Sequence, residues 1–174
     1  MADFNGHLSV EGLDTVLKGL EKADKAVQRA AFTGLQKGAL EIINEAKRNL
    51  RANMSVVTGL LRQSGKVQKT GELSLDAGFF DTQNKGHGYA AYVEYGRRAG
   101  KMPPPDELAQ WAYKKFQLAD RKEASSIGWA MAIKIAREGT KPHPFFGPAI
   151  EKCKTKILNH VRDAIRRATS KDNI

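Results

Sequence analysis

Cysteine is nearly absent from this sequence, which contains one, Cys153, among 174 residues. A single cysteine cannot close an internal disulfide, and it cannot build any of the usual zinc sites. The sequence also lacks an apolar run near the roughly 20 residues that span a bilayer. Its first ten residues, MADFNGHLSV, contain no basic stretch followed by an apolar one. We therefore expect neither a signal peptide nor a membrane partner, and synthesis in a reducing cytoplasm.

Motifs of common enzyme classes are missing as well. The sequence contains neither G-x-S-x-G, which presents a nucleophilic serine, nor G-x-x-x-x-G-K-[ST], which cradles phosphates. None of the four histidines is spaced from another histidine or from the cysteine as metal ligands are. His143 between two prolines is typical of a loop, and Cys153 on an apolar helical stripe is typical of a small core residue. We predict no catalytic residue, no metal and no cofactor.

Positive charge is abundant. The formal net charge is +10 at pH 7, so acidic surfaces and nucleic acid will attract the chain. Attraction to phosphate does not by itself recognise a sequence. We find no helix-turn-helix pattern, no zinc finger and no stacking platform of aromatic and basic residues.

Apolar periodicity predicts one α+β domain over residues 1–174, in which helices flank and follow a small antiparallel β-meander. We expect a strand in 1–11, helices in 13–51, a β-meander in 56–96, a two-helix insertion in 104–138, a stiff segment in 139–147 and a last helix in 148–168.

Several of these elements have internal detail. The long helix, 24–51, carries Gly34 and Gly38 on one side, where they could admit a close neighbour. The meander is expected to contain strands at 62–68, 73–79 and 89–95, with a hairpin turn at 69–71.

The helices after the meander differ in their patterns. The one predicted for 126–138 has two apolar stripes, which is typical of burial between two layers. The last helix has a basic outer side that includes Lys152, Lys156, Arg162, Arg166 and Arg167. A solvated surface and a contact with phosphate or an acidic partner both explain that pattern.

The stretch GTKPHPFFGPAIEK, residues 139–152, precedes this last helix. Pro142 and Pro144 stiffen the chain and cannot donate backbone hydrogen bonds. Phe145 and Phe146 follow directly. Either the segment is a rigid connector whose phenylalanines close the core, or it is a contact surface for another subunit.

Three segments in order, TGLLRQSGKV (58–67), YAAYVEYGRR (89–98) and GTKPHPFFGPAIEK (139–152), give the sequence a family resemblance. The chain resembles the tail-completion, or head–tail joining, proteins of tailed bacteriophages, including minor tail proteins. That family carries T-G-x-L-x-x-S, then Y-x-x-Y-V-E-x-G, then P-x-P-F-[FL]-x-P-A. One departure is visible, since Arg97 stands where many members have threonine. Residues 97–139 also carry two helices that shorter members lack and that the longer members, which resemble minor tail proteins, have.

The resemblance implies a structural protein with no enzymatic role, located in the virion and assembled in the host cytoplasm. It implies a homo-oligomeric ring, with six copies favoured over twelve, at the head-proximal end of the tail. Its partners would be the tail tube or terminator and the head-connector proteins, and genomic DNA would pass through the ring. Alternatives are a tail terminator, a head-closure subunit, a basic non-specific DNA-binding protein or, with least support, a small hydrolase.

The hypothesis that follows is an interface made by the end of the 89–95 strand and by the stiff segment. Rigid segments lose little entropy on docking, and aromatic residues are enriched in interface cores. We expect the basic outer side of the last helix to meet acidic neighbours or solvent instead of lining the channel. The predicted interface residues are Tyr92, Glu94, Tyr95, Gly96, Arg97, Arg98, Pro142, His143, Pro144, Phe145 and Phe146.

Overall fold

The computed structural model describes residues 23–53, 59–80 and 89–171. The first predicted strand and the helix predicted to begin near Asp14 lie outside these residues. The described elements, in chain order, are α1 (Lys25–Ala52), α2 (Leu60–Ser64), β1 (Gly65–Lys69), β2 (Leu75–Phe79), α3 (Tyr89–Tyr95), α4 (Pro105–Lys115), α5 (Arg121–Glu138) and α6 (Gly147–Lys171). Helices with a small antiparallel sheet confirm the α+β class.

Helices α1 and α6 form the main packed pair. The side chain of Asp24 caps α1 by accepting a hydrogen bond from the Lys25 backbone N–H at 2.7 Å, as expected at a helix start. The two helices run antiparallel, because Asn49 lies opposite Phe145 while Gly34 lies opposite His160. The long helix and the last helix are both confirmed.

The two glycines of α1 allow this close packing. A Cβ at Gly34 would lie 2.6 Å from the His160 carbonyl oxygen and 2.7 Å from Val161 Cα, and one at Gly38 would lie 2.8 Å from Ile157 Cγ1. Both distances are too short for a side chain, so glycine sets the separation of the helices. The predicted close neighbour is therefore α6.

Strands β1 and β2 form the described sheet as an antiparallel hairpin, with Gly65 opposite Phe79 and Lys69 opposite Leu75. Two details of the prediction were wrong. Residues before Gly65 belong to the short helix α2, and Lys69 is paired in the strand, so the turn is Thr70–Ser74. The Ser74 carbonyl closes that turn by accepting from the N–H groups of Thr70 and Gly71.

The predicted third strand, 89–95, is also wrong, because these residues form helix α3. Ala90, Val93 and Glu94 are buried, whereas Tyr92 and Tyr95 are exposed. Buried positions separated by three and four residues fit a helix and not a strand. The apolar residues Tyr89, Ala91, Val93 and Tyr95 are spaced by two, which is the pattern that predicts a strand.

Helices α4 and α5 form a hairpin and pack mainly against each other. The predicted insertion of two helices is confirmed, but α5 begins at Arg121 and not at Ser126. Asp120 caps it, with its carboxylate accepting from the Lys122 N–H at 2.9 Å. Gly128 lies against the α4 backbone at Pro105 and Ala109, and small residues fill the seam: Ala112, Ala124 and Ala132.

Burial of α5 between two layers was wrong for the single chain. Helix α4 covers one side of α5, but Trp129 and Ile133 on the other side remain 50 % and 54 % exposed. These two residues, four apart and so on one side of the helix, are called the hairpin face below.

The main core lies between α1, α6 and the sheet. Phe79 of β2 packs edge-on against both phenylalanines of the stiff segment, with ring centroids 5.0 Å from Phe145 and 5.8 Å from Phe146. Other members of this core are Ile42, Ile43, Ala46, Leu50, Ala90, Val93, Ala149, Cys153 and Ile157.

Candidate functional site

The end of α3 and the stiff segment meet at one buried carboxylate, Glu94, which is 5 % exposed. Its Oε2 accepts from the backbone N–H groups of Phe145 at 2.7 Å and Phe146 at 2.9 Å, and its Oε1 accepts from Gly147 at 2.9 Å. Gly147 begins α6, so Glu94 supplies partners to backbone donors that a helix start leaves unpaired, and places negative charge near its positive end. This arrangement gives a physical reason for V-E-x-G and P-x-P-F-F to occur together.

Further hydrogen bonds hold the stiff segment from both sides. The His143 N–H donates to the Val93 carbonyl at 2.8 Å. From α1, the Asn49 side chain donates to the Phe145 carbonyl at 2.9 Å, and Asn53 donates to that of Pro144 at 3.1 Å. A segment rich in proline has few donors of its own, so its carbonyls are matched by side-chain amides of α1.

Two glycines with positive φ bring the end of α3 and the stiff segment together. We call this region, in which both are held around Glu94, the Glu94 joint or simply the joint. Gly96 has φ +72° and lies against the Thr140 carbonyl, and Gly139 has φ +76° and lies against the Arg97 carbonyl. Between them, Arg97 and Thr140 exchange backbone hydrogen bonds of 3.1 and 2.8 Å. A Cβ would meet carbonyl oxygens at both positions, so these contacts require glycine.

The joint settles which role the two phenylalanines have in the single chain. Phe145 is 0 % and Phe146 3 % exposed, so both rings close the core. With Glu94 also buried, three of the predicted interface residues are internal to the subunit and present no surface to a neighbour.

The exposed remainder of the predicted interface does lie together. Tyr92 is 46 % and Tyr95 72 % exposed, and the Arg97 guanidinium lies over the Tyr92 ring, 5.8 Å from its centroid. The joint holds the exposed Pro142–Pro144 stretch beside them through His143 and Thr140. Gly96 and Arg97 are half-buried. We call the patch formed by half-buried Arg97 and its exposed neighbours the tyrosine surface: Tyr92, Tyr95, Arg97, Arg98, Pro142, His143 and Pro144.

Sequence reasoning missed the second exposed apolar feature, the hairpin face. Close to it in the chain, Phe116 at the end of α4 is 53 % exposed and packs edge-on against Trp111, with centroids 5.7 Å apart. The signal is present in the sequence, since α5 has two apolar stripes. Only the tertiary arrangement shows that, among the described residues, one of these stripes is covered and the other is not.

The basic side of α6 is exposed, as predicted. Lys152 and Arg48 both bind the carboxylate of Glu45 on α1, with Arg48 Nε 2.8 Å from Oε2. These hydrogen bonds, that from Lys152 first, lower the pKa of Glu45 below its ordinary value of 4.5. Near the other end, Arg166 Nη2 lies 3.4 Å from the Asp163 carboxylate.

The described residues contain no grouping of histidine, cysteine and carboxylate side chains able to hold a metal. Burial raises the pKa of the Cys153 thiol, which disfavours the reactive thiolate. Among the described helices, none is long and apolar enough to cross a membrane.

Comparison with known protein families gives a match over the first part of the chain. The family described as "Bacteriophage HK97-gp10, putative tail-component" matches residues 14–96. This part of the chain matches a bacteriophage tail-component family. The match covers the first quoted segment and the Y-x-x-Y-V-E-x-G part of the second, and it ends before the stiff segment.

The suspected resemblance to phage tail proteins is thereby confirmed. The matched family is one of bacteriophage tail components, and tail components are parts of the virion. Neither the curated proteins nor the solved structures include a significant match to it.

Proposed function

We propose that this tail component is a tail-completion, or neck, subunit that forms a homo-oligomeric ring at the head-proximal end of the tail and joins the tail to the head. Six copies are favoured by the symmetry of long tails. The ring would contact the tail tube or terminator on one side and the head connector on the other, with genomic DNA passing through it.

The match of residues 14–96 to a tail-component family carries the proposal. It gives the class of assembly, and the resemblance of the three ordered segments supports the head-proximal position. The chemistry of the site is consistent with a role in contact: the described residues present exposed aromatic side chains on a rigid backbone, the arrangement on which interfaces depend.

The tyrosine surface supports subunit contact in particular. Large aromatic side chains bury much area when a partner covers them, and they dominate the energetics of interfaces. The Glu94 joint fixes the backbone beneath Tyr92 and Tyr95, so little conformational entropy would be lost when a neighbour docks. The hairpin face offers a second patch of the same kind on a different part of the subunit.

A ring requires two different patches on each subunit, because each copy contacts one neighbour with one surface and the next neighbour with another. The tyrosine surface and the hairpin face are the two exposed aromatic patches of the described residues that suit this arrangement. We assign the first to the contact on one side and the second to the contact on the other.

The proposal is tested with tails purified from phage that lack this protein. The purified chain is added back, and the particles are imaged by negative stain. Extra density at one end of each tube, followed by joining to filled heads, is the expected result. Density along the tube, or no density together with binding to random duplex DNA, would contradict the proposal and favour the DNA-binding alternative.

A double variant of Tyr92→Ser and Tyr95→Ser examines the tyrosine surface in the same assay. The matched control is Leu40→Ser, because Leu40 on α1 is 47 % exposed and belongs to neither patch. We expect the tyrosine variant to lose tube-end density and the control to retain it. Equal behaviour of the two variants would remove the tyrosine surface from the interface.

A further inference from the structure

The basic side of α6 is a charged surface on which some cations have no ion-pair partner among the described residues. α1 and the core cover the opposite side of α6, through Cys153, Ile157 and Val161. With 3.6 residues per turn, the exposed positions from Lys152 to Arg167 cover one side of the helix over a length of about 22 Å. Such a helix side can lie along another molecule without disturbing the fold.

Three cations on this side are exposed and have no carboxylate within ion-pair distance among the described residues: Lys156, Arg162 and Arg167. In contrast, Lys152 binds Glu45 and Arg166 lies near Asp163. The unpaired cations flank the paired ones on both edges of the exposed side. The intramolecular pairs therefore leave positive charge along most of its length.

The pattern of charge distinguishes between two anionic partners. Asp163 lies among the arginines, and Glu151 lies next to Lys152, both within the same surface region. A phosphate backbone carries negative charge at close, fixed spacing and would be repelled by these carboxylates. Carboxylate side chains of a protein can instead be spaced to meet the cations and to avoid Glu151 and Asp163. Lys152 also already binds a carboxylate, that of Glu45, in the folded chain.

We propose that the basic side of α6 is the docking surface for a carboxylate-rich surface of a partner protein, with Lys156, Arg162 and Arg167 as its main contacts. This proposal deepens the proposed function, since it states the chemistry of a partner that the tail subunit meets. The complementarity of charge carries the argument. The cations would raise the rate of encounter and set the orientation of docking.

The test uses the full chain with two probes, poly-L-glutamate and a 30-base-pair duplex of random sequence, at low salt because exposed charges are screened at high salt. The variant is Lys156→Glu, Arg162→Glu, Arg167→Glu. Its control, Lys37→Glu, Lys66→Glu, Lys122→Glu, reverses three exposed lysines elsewhere and changes the net charge equally. Binding is measured by fluorescence anisotropy.

We expect the α6 variant to bind poly-L-glutamate about tenfold more weakly than the control, since three attractions become repulsions of the size found at surfaces. Equal losses in the two variants would overturn the proposal, because net charge alone would then explain binding. Tighter binding of wild type to the duplex than to poly-L-glutamate, at equal charge concentration and abolished in the α6 variant, would overturn it in favour of DNA.

Oligomeric mass separates this proposal from the proposed function. If the wild type forms no ring, and the α6 variant loses binding to poly-L-glutamate, the ring is contradicted and the docking surface is supported. If all variants form rings and the α6 changes do not affect binding to poly-L-glutamate, the ring is supported and the docking surface is contradicted.

Discussion

Glu94 is the residue on which the joint between α3 and α6 depends, because it accepts hydrogen bonds from three successive backbone N–H groups. Replacing it with alanine removes this acceptor from all three donors, two of which belong to buried residues, Phe145 and Phe146. We expect Glu94→Ala to lower the free energy of unfolding by about 3 kcal/mol, from the cost of unsatisfied buried donors. Urea denaturation measures the change.

Two control variants accompany Glu94→Ala, one that keeps an acceptor at this position and one that removes an exposed carboxylate elsewhere. Glu94→Gln keeps one acceptor oxygen and the shape of the side chain, so its loss of stability should be smaller. Glu151→Ala removes an exposed carboxylate from α6 and should leave the unfolding midpoint almost unchanged. If Glu94→Ala were as stable as Glu151→Ala, the joint would not be held by this carboxylate.

The ion pair of Lys152 and Glu45 should contribute stability that depends on pH. The pKa of Glu45 is lowered in the folded chain, chiefly by its hydrogen bond from Lys152. Stability from a depressed carboxylate pKa is fully present above the ordinary value, here 4.5, and disappears as pH falls through the folded value. Wild type should therefore exceed Lys152→Met in stability at neutral pH, and the difference should shrink below about pH 4.5.

Urea midpoints from pH 7 down to pH 3 follow this difference. Lys156→Met is the control, because Lys156 is an exposed lysine of the same helix with no carboxylate partner among the described residues. Its difference from wild type should change little over the range. A Lys152→Met difference that widened on acidification would have the wrong sign for this pair.

At the scale of elements, the crossing of α1 and α6 depends on the absence of a side chain at Gly34. A Cβ there would lie 2.6 Å from the His160 carbonyl oxygen, and a backbone atom cannot move aside as a flexible side chain can. Alanine favours a helix over glycine by roughly 1 kcal/mol. We nevertheless expect Gly34→Ala to be destabilising, because overpacking costs about 1–3 kcal/mol and the helices must separate.

Thermal melts of Gly34→Ala and Gln36→Ala examine the crossing. Gln36 is exposed on the same helix, so alanine there adds helix propensity without a clash and should be neutral or slightly stabilising. A Gly34→Ala variant more stable than wild type would mean that α1 and α6 do not approach as closely as described.

The elements also show what the sequence can and cannot predict. α1 and α6 were predictable because their apolar residues follow the helical period over six or more turns. The helix α3 was not predictable, because its seven residues have apolar side chains spaced by two and also by three, and so fit both periods. The beginning of α5 was missed because RKEASS is polar, yet polar residues suit the exposed first turns of a capped helix.

The sequence identifies some residues of the site but does not identify the tertiary contacts that they make. The motif residues around Glu94 were found, but their partners were not, since hydrogen bonds between residues 94 and 145 depend on tertiary packing. Burial of Phe145 and Phe146 was left open because an aromatic pair suits a core and an interface equally. Only the position of Phe79 beneath them decides between the two.

At the scale of the whole molecule, two groups of exposed apolar residues lie on different helices: the tyrosines of the tyrosine surface on α3, and the hairpin face on α5. Trp129 and Ile133 are half exposed, so polar replacements remove little buried area from the single chain. We expect Trp129→Ser with Ile133→Ser to melt within a few degrees of wild type and to lose oligomers. A large fall in melting temperature would instead mean that these residues stabilise the subunit itself.

Assembly of this subunit into a ring is tested most directly by the mass that the 174-residue chain has in solution. Mass photometry is performed on the chain alone and mixed with purified tail tubes. We expect a closed oligomer of about six 19.2 kDa chains, alone or on tubes, as for a cyclic assembly. A chain that remains monomeric under both conditions would contradict it.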